Sequence, residues 1–163
     1  MQNLTEETIL SFLQEIPDPE IPVITIVELG VIRKINILPG EVVVELSPTY
    51  SGCPAMKQME DDITTTLNKH GIENVKIKTV YTPAWTTDWI SSEAKEKLRK
   101  YGIAPPQEST TDKSFLTGKT KQIKCPRCGS LNTQMVSQFG STACKALYKC
   151  NDCLEPFDYF KCI

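Results

Sequence analysis

Cys125-Pro126-Arg127-Cys128 and Cys150-Asn151-Asp152-Cys153 are two C-x-x-C pairs separated by 21 residues, and their reading decides the fold of the last forty-odd residues. Each pair can set two sulfurs on one side of a tight turn, and two such turns facing each other complete a tetrahedral thiolate cage. The separation is slightly longer than the usual spacing for such cages, which a β-hairpin between the knuckles absorbs. Gly129, directly after Cys128, supplies the permissive backbone a knuckle needs. Closed all-cysteine tetrahedra favour zinc, and iron uses the same ligands. A zinc-ribbon β module is expected at 122–163, with hairpin strands near 133–139 and 145–149 and a third near 156–161.

Upstream, residues 5–16 read as an amphipathic helix. Thr5 is its cap, Glu6 and Glu7 suit its positive end, and Ile9, Leu10, Leu13 and Ile16 form one stripe. Three prolines within Pro17-Asp18-Pro19-Glu20-Ile21-Pro22 stop it. Residues 23–29 fit either a short helix or a strand. Two alternating strands follow, Val31 to Leu38 and Val42 to Leu46, joined by a Pro39-Gly40 turn. A polar loop, 47–54, feeds a helix whose Met56, Met59, Ile63 and Leu67 recur at helical spacing, with Gly71 as its stop. Val75, Ile77, Thr79 and Tyr81 alternate as a third strand, and residues 91–101 form a charge-rich helix ending at Gly102. The expected fold is α+β: a small three-stranded sheet packed with helices at 1–104, a Pro/Ser/Thr-rich linker at 105–121, and the ribbon.

Composition narrows the function. No apolar run approaches the roughly 20 residues of a membrane span, and the acidic start, Met1 to Glu7, lacks the basic and apolar regions of a secretory signal. Seven cysteines without an export signal point to a reducing cytoplasm and to metal chemistry rather than disulfides. Residues 1–106 carry 10 basic and 15 acidic side chains, and residues 121–163 carry 6 and 3. Zinc-bound thiolates would take that tail to about +1, which argues against an electrostatic nucleic-acid platform.

Cys53 stands alone in the N-terminal part, at the start of a helix. Unpaired N–H groups and the helix dipole there should lower a thiol pKa, and Gly52 and Pro54 should aim the sulfur outward. The other reading is a small buried apolar residue. Asp18 and Glu20 either cap the proline-rich turn or bring a carboxylate beside Cys53. His70 lies at the far end of the same helix, which excludes a Cys–His dyad within the chain, and Asp61 and Asp62 read as a solvated face. Cys144 and Cys162 are either packed thiols or neighbours of the ribbon metal.

Phe139-Gly140-Ser141-Thr142-Ala143-Cys144-Lys145-Ala146-Leu147-Tyr148-Lys149-Cys150 and Glu155-Pro156-Phe157-Asp158-Tyr159-Phe160-Lys161-Cys162 closely resemble the C-terminus of the PaaD family, the D (also called J) component of the bacterial phenylacetyl-CoA epoxidase system. Asp18-Pro19-Glu20 and Gly52-Cys53-Pro54 resemble the small domain shared by SufT and the eukaryotic cytosolic iron–sulfur targeting factors, with Ser51 where many relatives carry Thr. The resemblance implies an accessory, non-catalytic role in delivering or repairing a metallocentre, with Cys53 as a transient Fe or Fe–S ligand and Asp18 and Glu20 beside it. It implies partners within the epoxidase complex, namely its Fe–S flavin reductase or its di-iron oxygenase. No phosphate-cradling glycine loop, Glu-x-x-His pair or Ser–His–Asp set is present to make this chain an oxygenase by itself. One thiolate is too few for a [2Fe–2S] centre, so a homodimer, Cys144 or Cys162, or exogenous thiols would have to complete the set. Cys125-Pro126-Arg127-Cys128-Gly129 also resembles a rubredoxin knuckle, which keeps electron transfer as the alternative. A non-catalytic scaffold or regulator is the third.

Overall fold

The computed structural model describes residues 4–107 and 121–161. The chain divides into two compact units, Met1–Ser91 and Ser92–Ile163.

In the first unit, helix α1 spans Glu6–Leu13, and Thr5 caps it by accepting the Thr8 N–H on its side chain. Strands β1 (Ile32–Leu38) and β2 (Glu41–Leu46) pair antiparallel through the Pro39-Gly40 turn, and β3 (Val75–Thr79) runs parallel to β2. Parallel neighbours need a crossover, and helix α2 (Ala55–Lys69) provides it. Alternation puts Val42, Val44 and Leu46 on the inner face of β2, while Ala55, Met59, Ile63 and Leu67 form the buried stripe of α2. Ile9 and Leu13 of α1 complete this core. Each such side chain stabilises the fold by about 1.5–3 kcal/mol when fully buried.

Residues 23–29 are neither helix nor strand; they run as consecutive turns with one bridge, Pro17 to Thr25. The cause is a reciprocal clasp in Thr25-Ile26-Val27-Glu28. The Glu28 carboxylate accepts the Thr25 N–H at 2.9 Å, and the Thr25 hydroxyl oxygen accepts the Glu28 N–H at 3.1 Å. This is the S/T-x-x-E capping pattern, which fixes one turn without a helix continuing from it. Gly30 follows at φ +78°, and a Cβ there would lie 2.5 Å from the Trp89 carbonyl oxygen. The Trp85 indole N–H donates to the Leu29 carbonyl at 3.0 Å, so both tryptophans brace this turn.

In the second unit, helix α3 (Ser92–Tyr101) ends at Gly102 with φ +95° and leads into a two-residue strand, β4 (Ile103–Ala104). Strands β5 (Thr133–Ser137), β6 (Lys145–Cys150) and β7 (Pro156–Phe160) form the ribbon. The sheet order is β4-β7-β6-β5, with β4 parallel to β7 and the other pairs antiparallel. Tyr148 stacks on Phe157 and meets Tyr159 edge-on, over a core that includes Ala104, Ile123 and Ala146. The sequence places α3 and β4 with the N-terminal part, up to residue 104. The compact unit instead begins at Ser92, because β4 adds a strand to the ribbon sheet. Of the expected linker, residues 108–120 lie outside the described residues.

Candidate metal centre and thiol site

The two knuckles bring four sulfurs together. Cys125 Sγ lies 3.8 Å from Cys153 Sγ, and Cys128 Sγ lies 3.6 Å from Cys150 Sγ. All four lie within 4.8 Å of one another. A tetrahedron with Zn–S bonds of about 2.3 Å has edges of about 3.8 Å, so these two sulfur pairs already stand at the spacing zinc needs and the donor set fits it. The ion would supply a cross-link between the two ends of the hairpin.

Local backbone chemistry sets each knuckle. In the first, Gly129 at φ +78° donates its N–H to the Cys125 carbonyl at 2.9 Å, and the Cys125 N–H donates to the Ser130 carbonyl at 2.9 Å. In the second, the Cys150 N–H donates to the Glu155 carbonyl at 3.0 Å, and Leu154, directly after Cys153, takes φ +63°. A leucine therefore occupies the left-handed position that glycine fills in the first knuckle. The Cys153 N–H directed at the Cys150 sulfur lowers that thiol to about 7, while its neighbours Cys128 and Cys153 are pushed up, Cys153 to about 12, because the crowded thiols share their protons. A clasp joins the knuckles. The Asp152 carboxylate accepts from the Ser130 hydroxyl and, at 2.8 Å, from the Asn132 side-chain amide, and these bonds hold its pKa down. The Asn151 N–H adds a bond to the Asn132 carbonyl at 2.8 Å.

Cys144 is not part of this group. It is 3 % exposed, and its sulfur lies 3.0 Å from the Thr142 hydroxyl. Cys162 lies outside the described residues.

Cys53 does sit at the start of α2, but the expectation of an outward, acidified thiol is overturned. The residue is 8 % exposed, and burial pushes its pKa up. The Ala55 N–H and the side chains of Tyr50 and Thr49 hydrogen-bond the sulfur and pull the other way, without overcoming desolvation. The negative charge of Glu20 raises the pKa further. Asp18 shapes the turn that carries Glu20. Its carboxylate, 3 % exposed as a residue, accepts the N–H of Glu20 at 2.9 Å and of Ile21 at 2.6 Å, closing the turn that carries Glu20. Thr49 and Tyr50 are site residues that sequence reasoning missed; their place in the loop running into Cys53 is the signal that could have flagged them. His70 caps the far end of α2, stacked on Phe12 with ring centroids 3.7 Å apart. Among the described residues, no helix is long and apolar enough to cross a membrane.

The whole described architecture has a counterpart. The D component of the "Putative 1,2-phenylacetyl-CoA epoxidase" of Escherichia coli is 46 % identical over 155 residues, covering 95 % of this chain and 92 % of that one. This chain belongs to the PaaD family. The two signatures of the family are matched separately: the PaaD zinc beta ribbon domain by residues 109–161, and the iron–sulfur cluster assembly protein family by residues 6–80. The Fe-S protein maturation auxiliary factor SufT of Staphylococcus aureus is 36 % identical over 83 residues, 50 % of this chain and 93 % of that one. Among solved structures, a domain of unknown function from Bacillus anthracis superposes with a TM-score of 0.53 at 26 % identity, over 57 % of this chain and 90 % of that one.

Proposed function

We propose that this protein is a non-catalytic accessory factor that supports assembly of an Fe or Fe–S centre in a phenylacetyl-CoA epoxidase system, with Cys53 as the ligand that handles the metal. The observation that carries the reading is the thiol at the start of α2, hydrogen-bonded by Thr49, Tyr50 and the Ala55 N–H, within the electrostatic reach of the Glu20 carboxylate. A buried, neutral thiol is held in reserve until a soft metal arrives. As the Cys53 sulfur forms its bond to iron, its proton is released. The raised pKa makes the metal-free thiol inert to adventitious chemistry, and metal binding reverses that preference. Asp18 holds Glu20 in place through the turn it caps.

The names of two relatives support the pathway and the role: one is a component of a phenylacetyl-CoA epoxidase, the other an Fe-S maturation factor. On this reading the partner is the Fe–S flavin reductase or the di-iron oxygenase of that complex, and the ribbon is a structural and docking element with zinc in its four-cysteine cage. Cys53→Ser is expected to give a folded, zinc-loaded protein that fails to support growth on phenylacetate. Normal growth of that variant would reject the role given to Cys53. The four-sulfur geometry is also compatible with iron, which favours rubredoxin-like electron transfer as the second reading. Stoichiometric iron with a reducible red chromophore in protein purified without added metal would establish it; one zinc in colourless protein would dismiss it.

A further inference from the structure

We propose that the four-cysteine cage is also an oxidation site, at which a hydroperoxide oxidises the Cys128 sulfur and Cys150 captures it as a disulfide, so that the ribbon gives up its metal. The cage is lopsided. Cys125 and Cys150 are 1 % and 0 % exposed, whereas Cys128 is exposed. Metal coordination keeps a cysteine sulfur deprotonated. Among thiolates, oxidation selects those that solvent reaches in electropositive surroundings. The inference rests on the zinc reading of the cage and is independent of the role given to Cys53.

The surroundings of Cys128 meet both conditions. It lines a cavity of about 510 Å³ whose wall also carries Arg99, Lys124 and Arg127. Arg99 and Arg127 are already engaged, with Glu96 at 2.6 Å and Glu155 at 2.7 Å. Lys124 pairs with no carboxylate among the described residues. Its stem lies against the knuckle, since a Cβ on Gly129, directly after Cys128, would stand 3.5 Å from Lys124 Cε. Cys153 reaches solvent too, but it does not line this cavity. The second sulfur is in place on the other knuckle, with Cys150 Sγ 3.6 Å from Cys128 Sγ. The Cys128 thiolate attacks one oxygen of the peroxide; the O–O bond breaks, the sulfur becomes a sulfenic acid, and the other oxygen leaves as hydroxide. The Cys150 thiolate then attacks the Cys128 sulfur, an S–S bond forms, and a second hydroxide leaves. Two thiolates have lost two electrons, and the O–O bond has taken them up. A hydroperoxide suits the site because its leaving oxygen carries a compact negative charge, which an unpaired ammonium stabilises. The two sulfurs left over are too few to close a tetrahedral site.

The test uses the full-length protein, purified under reducing conditions and then freed of reductant. Hydrogen peroxide is the probe; released zinc is read with a chromogenic chelator, and disulfides by peptide mass spectrometry. Wild type is expected to release its zinc in step with a Cys128–Cys150 disulfide, and reductant with added zinc should restore the cage. Lys124 is exposed, so Lys124→Met should keep the zinc content while slowing release about threefold or more, and Lys124→Arg should recover the rate. Cys128→His offers a three-cysteine, one-histidine cage that still suits zinc, and it should hold its metal against peroxide. Should that variant fail to load, the Lys124 pair decides the matter. Zinc that stays bound in millimolar peroxide overturns the proposal. So does a disulfide confined to other cysteines, or equal release rates for wild type and Lys124→Met. Iron in the purified cage would reject the zinc reading and this site together, whereas zinc indifferent to peroxide rejects this site alone.

Discussion

Replacing Gly30 by alanine should destabilise the first unit far more than its single added methyl suggests. Two costs add at this position. The backbone sits at φ +78°, a left-handed conformation that disfavours any residue with a Cβ by roughly 1–2 kcal/mol. The new methyl would also stand 2.5 Å from the Trp89 carbonyl oxygen and 2.8 Å from the Trp89 Cβ, closer than any tolerable contact. Two of the atoms it meets belong to the backbone, so relief requires moving the 3-10 turn Thr87–Trp89, at a further cost of about 1–3 kcal/mol typical of overpacking. Alanine restricts the unfolded chain and returns about 0.4–1 kcal/mol. The net is a loss of about 1–5 kcal/mol, centred near 3, which at that centre is a fall of some 12–24 °C in the melting temperature of a unit this size. Gly40→Ala is the internal control. Gly40 has nearly the same dihedral, φ +77°, but nothing lies within 4 Å of its added Cβ, so only the conformational cost of about 1 kcal/mol applies. Thermal melts followed by tryptophan fluorescence suit the question, because the Trp85 indole bonds the carbonyl next to Gly30. Equal melting temperatures for the two variants would refute the steric argument, and with it the close approach of the Trp89 turn.

Further outcomes follow from the two sulfur sites. Glu20→Gln removes the negative charge that helps hold the Cys53 proton, so iodoacetamide should modify Cys53 faster at a given pH below full ionisation; an unchanged rate would mean Glu20 is electrostatically uncoupled from the thiol. The folded thiol pKa is raised, so the unfolded chain ionises first as pH climbs. The first unit should therefore lose stability as pH rises through and beyond the ordinary thiol range, and Cys53→Ser should flatten that slope in a pH series of denaturant titrations. Chelation should unfold the ribbon, since structural zinc supplies apparent binding free energies of about 10–16 kcal/mol to small modules. Hydrogen exchange should then show α3 losing protection together with β5–β7 while α1 and α2 keep theirs; protection retained in the ribbon would remove the metal from its account.

Much of this architecture is legible in the sequence, for identifiable reasons. Strong period-two and period-3.6 patterns locate β1, β2, β3 and α2, and the C-x-x-C spacing locates the four sulfurs. What escapes depends on contacts distant in sequence. The surroundings of Cys53 mislead because a helix start favours a thiolate locally, whereas its desolvation is set by the tertiary packing around that start. Strand β4 has only two residues and is a strand solely by pairing with Asp158 and Tyr159 more than fifty positions later. The turns at 23–29 are a different case: Thr25-x-x-Glu28 is a local pattern, and attention to hydrophobicity alone hides it. Leu154 in a left-handed conformation has no sequence signal, because glycine is the residue that normally announces that geometry.

The short β4–β7 ladder also dictates where this protein can be cut. A fragment beginning after residue 104 would strip Ile103 and Ala104 from β7 and leave a raw hydrogen-bonding margin on Asp158 and Tyr159. Such a piece would carry every cysteine of the cage and still be prone to stick to itself. Severing the chain between Ser91 and Ser92 keeps the seam whole and should yield a ribbon that behaves in isolation.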